Sequence, residues 1–221
     1  MSRRSRILLL ASLTAVVFVF ALVVLLDRPA SRSSTSSTAA AAARAVAENA
    51  QASTGFDGAL LPREVSTPDF TLTDQDGRRV SLGQYHGRVA ILTFLSSTCH
   101  PTCPLIAQQI RGALDEMSAH PVPVLIVSAS PTADTPAAVR RFLGEAALDG
   151  RVEYLTGSPS ELRAVWRAYD IVPSQLGDAE SPHAAAVLLI DRAGHKRDLF
   201  QVEQLTPEGL VHDIRKLEGE T

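Results

Sequence analysis

Cys99 and Cys103 are the only cysteines of this 221-residue chain, and His100, Pro101 and Thr102 lie between them. Two thiols at this spacing could exchange electrons as a redox pair, clamp a soft metal ion, or form a structural disulfide. A staple is the weakest reason for them: by loop-closure entropy a ring of about five residues is worth only about 2 kcal/mol, against nearly 5 for a long loop. His100 could add a nitrogen ligand, or it could point to solvent and only tune the neighbouring thiol.

An apolar run, Val89 to Leu95, leads into the cysteines, and a helical pattern with Ile106, Ile110, Leu114 and Met117 on one face follows them over Pro104 to about Ala119. Val122 to Val127 is a second apolar run of the kind that forms a buried central strand. Phe70–Thr73 and Val80–Leu82 read as a hairpin around Asp74-Gln75-Asp76-Gly77. Those four residues resemble the start of a calcium loop, but the downstream glutamate is absent and a hairpin turn accounts for them. Helices are expected over Pro136–Leu148, Pro159–Tyr169 and Pro207–Leu217, a short strand over Val152–Leu155, and a second hairpin from Ala186–Ile190 and Arg197–Phe200. Thr135-Pro136, Ser158-Pro159 and Thr206-Pro207 each place an N-capping hydroxyl before a proline at the first helical position. Cys103-Pro104 has the same form, which would put a sulfur at the positive end of the helix dipole and favour thiolate. The alternation of strands and helices predicts a three-layer α/β domain with a mixed central sheet.

The loop Phe94-Leu95-Ser96-Ser97-Thr98-Cys99-His100-Pro101-Thr102-Cys103-Pro104 resembles the copper-site loop of the Sco/SenC family of membrane-anchored copper chaperones. A second likeness lies in Ser181-Pro182-His183-Ala184-Ala185-Ala186-Val187-Leu188-Leu189-Ile190-Asp191, where a histidine precedes an apolar strand. Phe70-Thr71-Leu72-Thr73-Asp74 and Asp134-Thr135-Pro136 extend the resemblance over about residues 66 to 219. It implies a thioredoxin-like fold, copper as Cu(I) or Cu(II), and Cys99, Cys103 and His183 as its ligands. It also implies a recipient, the dinuclear copper site of cytochrome c oxidase subunit II or another copper acceptor, and a thiol reductant for the pair. His100-Pro101 stands where the family usually has Pro-Asp, and Pro182 stands where an acidic residue is usual before the histidine.

Two thiolates and an imidazole suit Cu(I), which is content with three ligands, whereas structural zinc almost always takes four. The rival from another class is a thiol–disulfide oxidoreductase using Cys99 and Cys103 as its redox pair. Against it, such enzymes usually space their cysteines by two residues and carry a proline near positions 185 and 186, which are alanines here. A peroxiredoxin loop does not fit either cysteine. His183 could also be a plain surface histidine in a polar loop, and His86, His120, His195 and His212 have ordinary explanations in turns and on helices.

Ile7 to Leu26 carries no charge, and 20 residues at about 1.5 Å each match a bilayer core of about 30 Å. Arg3, Arg4 and Arg6 precede it, so the expected arrangement is residues 1–6 in the cytoplasm, an uncleaved anchor over 7–26, and everything beyond outside the cell; a cleaved signal peptide is the competing reading, against which the apolar run is long and Arg28-Pro29-Ala30 a poor cleavage site. Residues 27–62, rich in Ser, Ala and Thr, read as a flexible tether, and 63–221 as the folded copper-binding domain. The lysines are Lys196 and Lys216 alone among many arginines and alanines, which suggests a GC-rich bacterial genome and hence a bacterial cell membrane. The formal net charge of −3 leaves no basic footprint for nucleic acid.

Overall fold

The computed structural model describes residues 54–62, 67–173 and 186–220. The expected membrane anchor and His183 lie outside them. In chain order the elements are β1 (Ala59–Leu60), β2 (Thr71–Thr73), β3 (Arg79–Ser81), β4 (Ala90–Leu95), α1 (Thr102–Glu116), β5 (Val124–Ser128), α2 (Pro136–Glu145), β6 (Glu153–Leu155), α3 (Pro159–Ala168), β7 (Val187–Ile190), β8 (Lys196–Phe200) and α4 (Pro207–Gly219). The main sheet has the order β1-β8-β7-β4-β5-β6, while β2 and β3 form a separate hairpin. β5 runs parallel to β4 and to β6, whereas β7 is antiparallel to β4 and to β8, so the sheet is mixed as expected.

Every residue of β4 is buried, because the sheet is covered on both faces. Successive side chains of a strand point to opposite faces. Ile91 and Leu95 therefore join a core with Ile106, Ile110, Phe142 and Ile214 from α1, α2 and α4. Leu92 and Phe94 join the other core with Leu72 and Val80 of the hairpin and Leu162 and Val165 of α3. That is the three-layer arrangement, and it sets the C-terminal end of β4 at the start of the cysteine loop.

Three of the helix starts have the expected chemistry. Thr135, Ser158 and Thr206 accept the N–H of Ala138, Glu161 and Gly209, and each is followed by a proline in the first turn. The fourth differs: α1 begins at Thr102, its cap is Pro101, and Cys103 lies inside the first turn with Pro104 behind it. A proline is tolerated throughout a first turn, since those N–H groups lack intrahelical partners anyway, so Pro104 does not mark the boundary.

The folded part also begins earlier than the expected boundary at residue 63. Phe56 is buried, and β1 pairs with β8 through Ala59↔Leu199 and Leu60↔Asp198. Two strand residues are too few to show a period in the sequence; the open edge of β8 recruits them.

Candidate metal centre

The chain leaves β4 at Leu95 and turns at once through Ser96-Ser97-Thr98 into Cys99. One buried carboxylate holds this turn. Asp134 Oδ1 accepts the Ser97 N–H at 2.8 Å, the Ser97 hydroxyl at 2.7 Å and the Ser96 hydroxyl at 3.2 Å. Its Oδ2 accepts the Ser128 hydroxyl at 2.6 Å and lies 2.9 Å from the Tyr154 hydroxyl, which is also 3.1 Å from the Leu95 carbonyl oxygen. Burial, and then the Asp134 charge, push the Tyr154 hydroxyl far above its ordinary range, so it stays a donor. Ser96, Ser128 and Tyr154 follow or belong to β4, β5 and β6, so Asp134 ties together the C-terminal ends of three neighbouring parallel strands. In open α/β sheets that end is where functional crevices form.

On this platform Cys99 and Cys103 form a disulfide with Cα atoms 5.6 Å apart. The two sulfurs are unequal: Cys103 is fully buried against the α1 side of the core, and Cys99 is only partly covered. His100 and Pro101, joined by a cis peptide bond, are exposed. The Cys99 N–H donates to the Ser96 carbonyl at 3.2 Å, closing the turn locally. As a disulfide the pair binds no metal; two electrons and two protons convert it to thiols, and only the thiolates are ligands.

In the sequence, β7 begins four residues after His183. Thr93 of β4 pairs with Val187, and the Thr93 hydroxyl donates to the Ala186 carbonyl at 3.0 Å. Because β7 is antiparallel to β4, its first residue lies toward the end of β4 from which the cysteine loop emerges. Sequence reasoning named Asp134 only as part of a motif, and missed Ser128 and Tyr154 altogether. The one local signal was the position of Asp134 directly before a capping Thr135-Pro136.

A cysteine pair at the turn between a central parallel strand and its helix, in a three-layer mixed α/β domain, defines a thioredoxin-like protein. Within that class the SCO1/SenC family model matches residues 59–218, and the chain belongs to that family. It is 26% identical over 161 residues to the SCO1 protein homolog of Bacillus subtilis, across 70% of this chain and 83% of that protein. Among solved structures it is similar to copper-bound ScoI of Bradyrhizobium japonicum, with a TM-score of 0.53 and 25% identity, across 69% of this chain and 99% of that one. The fold also matches BsSco, a Sco-family cytochrome c oxidase assembly protein, with a TM-score of 0.62 and 22% identity, across 73% of this chain and 99% of that one.

Proposed function

We propose that this chain is an extracytoplasmic copper chaperone, held in a bacterial membrane by residues 7–26, that carries copper on Cys99, Cys103 and His183 and passes it to an acceptor. The acceptor of this reading is the dinuclear copper site of cytochrome c oxidase subunit II. The observation that carries it is the convergence of the cysteine loop and the start of β7 on one end of the sheet. His183 is three residues from Ala186, a span of about 10 Å when extended. Family membership and the copper held by the ScoI relative support the cargo.

Loading requires a thiol reductant: its two thiols become a disulfide while Cys99–Cys103 becomes two thiols. Copper then displaces the thiol protons, and release proceeds as the acceptor's ligands replace Cys99, Cys103 and His183 one at a time. The redox state of the pair therefore gates the cargo.

A second reading, a thiol–disulfide oxidoreductase acting on the same acceptor's cysteines, is favoured by the unequal burial of the pair. Exchange needs one accessible sulfur to be attacked and one protected to resolve, and Cys99 and Cys103 differ in that way. Copper titration of the reduced domain from residue 54, paired with a dithiol reductase assay, separates the two. His183→Ala is expected to weaken copper binding at least about tenfold while leaving thiol exchange intact; unchanged copper binding sinks the role given to His183. For the anchor, mass spectrometry of membrane-extracted protein should find a start before residue 27.

A further inference from the structure

The opposite edge of the main sheet holds a second polar centre that copper handling does not use. Asp198 on β8 and Asp213 on α4 are both fully buried. Both carboxyl groups lie against Gly58, and Asp198 Oδ2 is buried with no N–H or hydroxyl donor among the described residues. Asp213 has N–H donors for its charge, whereas Asp198 Oδ2 has none, so burial beside a second carboxylate favours one proton on the pair. Burial, and then the contact with Asp213, push the Asp198 carboxyl up to about 8.

What the pair holds is the segment that leads into the domain. Asp213 accepts the N–H groups of Asp57, at 2.9 and 3.0 Å, and of Gly58, at 2.8 Å. Gly58 lies directly over the partner acid: a Cβ there would be 2.4 Å from Asp198 Oδ1. Beyond it, Leu60 pairs with Asp198 itself, and the Leu61 N–H donates to the Arg197 carbonyl at 2.8 Å. Around the pair stand Asp57 from the segment and His212 from α4, with His212 Nδ1 2.7 Å from Asp213 and 3.3 Å from Asp57. Lys216 of α4 donates to the carbonyls of Thr54 and Gly55 and covers the Phe56 ring. From β8 the Leu199 N–H donates to Asp198 Oδ1 at 2.9 Å.

We propose that Asp198 and Asp213 form a proton-held latch, in which one shared proton keeps residues 56–61 docked on β8 and α4, and its loss to solvent favours their release. The sign follows from linkage. The docked state keeps the proton up to about 8, and the released state, in which Asp198 meets water, loses it at a lower pH, so docking weakens as pH rises toward about 8 and levels off above it. Joined to the anchor proposed above, a released segment lengthens the tether by up to about 3.5 Å per residue. That consequence rests on the anchor; the latch does not.

Amide hydrogen exchange at Asp57, Gly58 and Leu61 in the full chain tests the latch. Asp198→Asn is neutral at every pH, and it leaves Asp57, His212 and Lys216 in place, so their contribution is common to both proteins. The exchange rate of the native protein relative to this variant is expected to rise by up to about tenfold per pH unit as pH approaches about 8, then stay constant. A ratio that does not change with pH overturns the proposal. Infrared spectroscopy of the native protein, with its aspartates isotope-labelled, serves even if the variant does not fold. A protonated carboxyl band present at pH 7 and lost near pH 8 supports the latch, and absence of that band at pH 7 overturns it. Neither readout depends on copper or the cysteines, so failure here leaves the chaperone reading untouched.

Discussion

Asp74 and Asp134 are both almost fully buried aspartates that organise a turn, and they recruit their partners in opposite ways. Asp74 works within the β2–β3 hairpin: it accepts the N–H groups of Asp76 and Arg78 at 2.9 and 2.8 Å and pairs with the Arg78 guanidinium at 2.7 Å. All of these partners lie within four residues of it. Asp134 reaches back 37 and 38 residues to Ser97 and Ser96, and forward 20 to Tyr154. One carboxylate shapes a turn that the local chain already favours. The other makes the cysteine loop depend on strands that must first be assembled.

The contrast is sharpest if each acid is removed. Asp134→Ala leaves several buried donors at the strand ends without an acceptor, and it should cost about 3–4 kcal/mol in denaturant unfolding. The same variant should also change the rate at which a thiol reductant opens the Cys99–Cys103 disulfide, because the Ser96-Ser97 turn loses its hold. A loss below about 1 kcal/mol with an unaltered reduction rate would show that the loop does not depend on Asp134.

Asp74→Ala should cost less, about 1–2 kcal/mol, since its turn keeps backbone bonds such as Gly77 N–H to the Asp74 carbonyl and the Arg78 partner it would leave is largely exposed to water. Cysteine reduction should be unchanged. A clear effect of this variant on the reduction rate would remove the distinction between the two acids.

The smallest expected effect is one of pH. Burial pushes the Asp74 carboxyl up, but the Arg78 and Asp76 N–H groups and the Arg78 guanidinium outweigh it, so it ionises below the usual carboxylate range. Its contribution to stability is therefore complete above about 3.9, the unfolded value, and is lost as pH falls through the lower folded value. NMR of the Asp76 and Arg78 amides should show the hairpin turn keeping its form at pH 4 and loosening below it. A turn already loosened at pH 5 would contradict the lowered ionisation.

Much of the site was legible before folding was considered. The spacing of Cys99 and Cys103 and the apolar run ahead of them placed a reactive pair at a strand-to-helix turn, and three of the four hydroxyl- or sulfur-proline starts behaved as capping chemistry requires. The fourth, at Cys103-Pro104, failed because the cap preference is only one of several ways to enter a helix. β1 falls inside the expected tether because two residues carry no periodicity, and their pairing depends on an edge supplied by β8.

What the sequence determined by itself is what acts over a few residues: the buried strands, the helix starts, the Asp74 turn and the nearness of the two cysteines. The tertiary structure decided which cysteine is covered, which carboxylate holds the loop, and that Asp198 and Asp213 both come against Gly58. The physical reason is that a hydrogen bond between near neighbours needs only local backbone angles. A bond across dozens of residues exists only once strand order and register have brought its partners to the same end of the sheet.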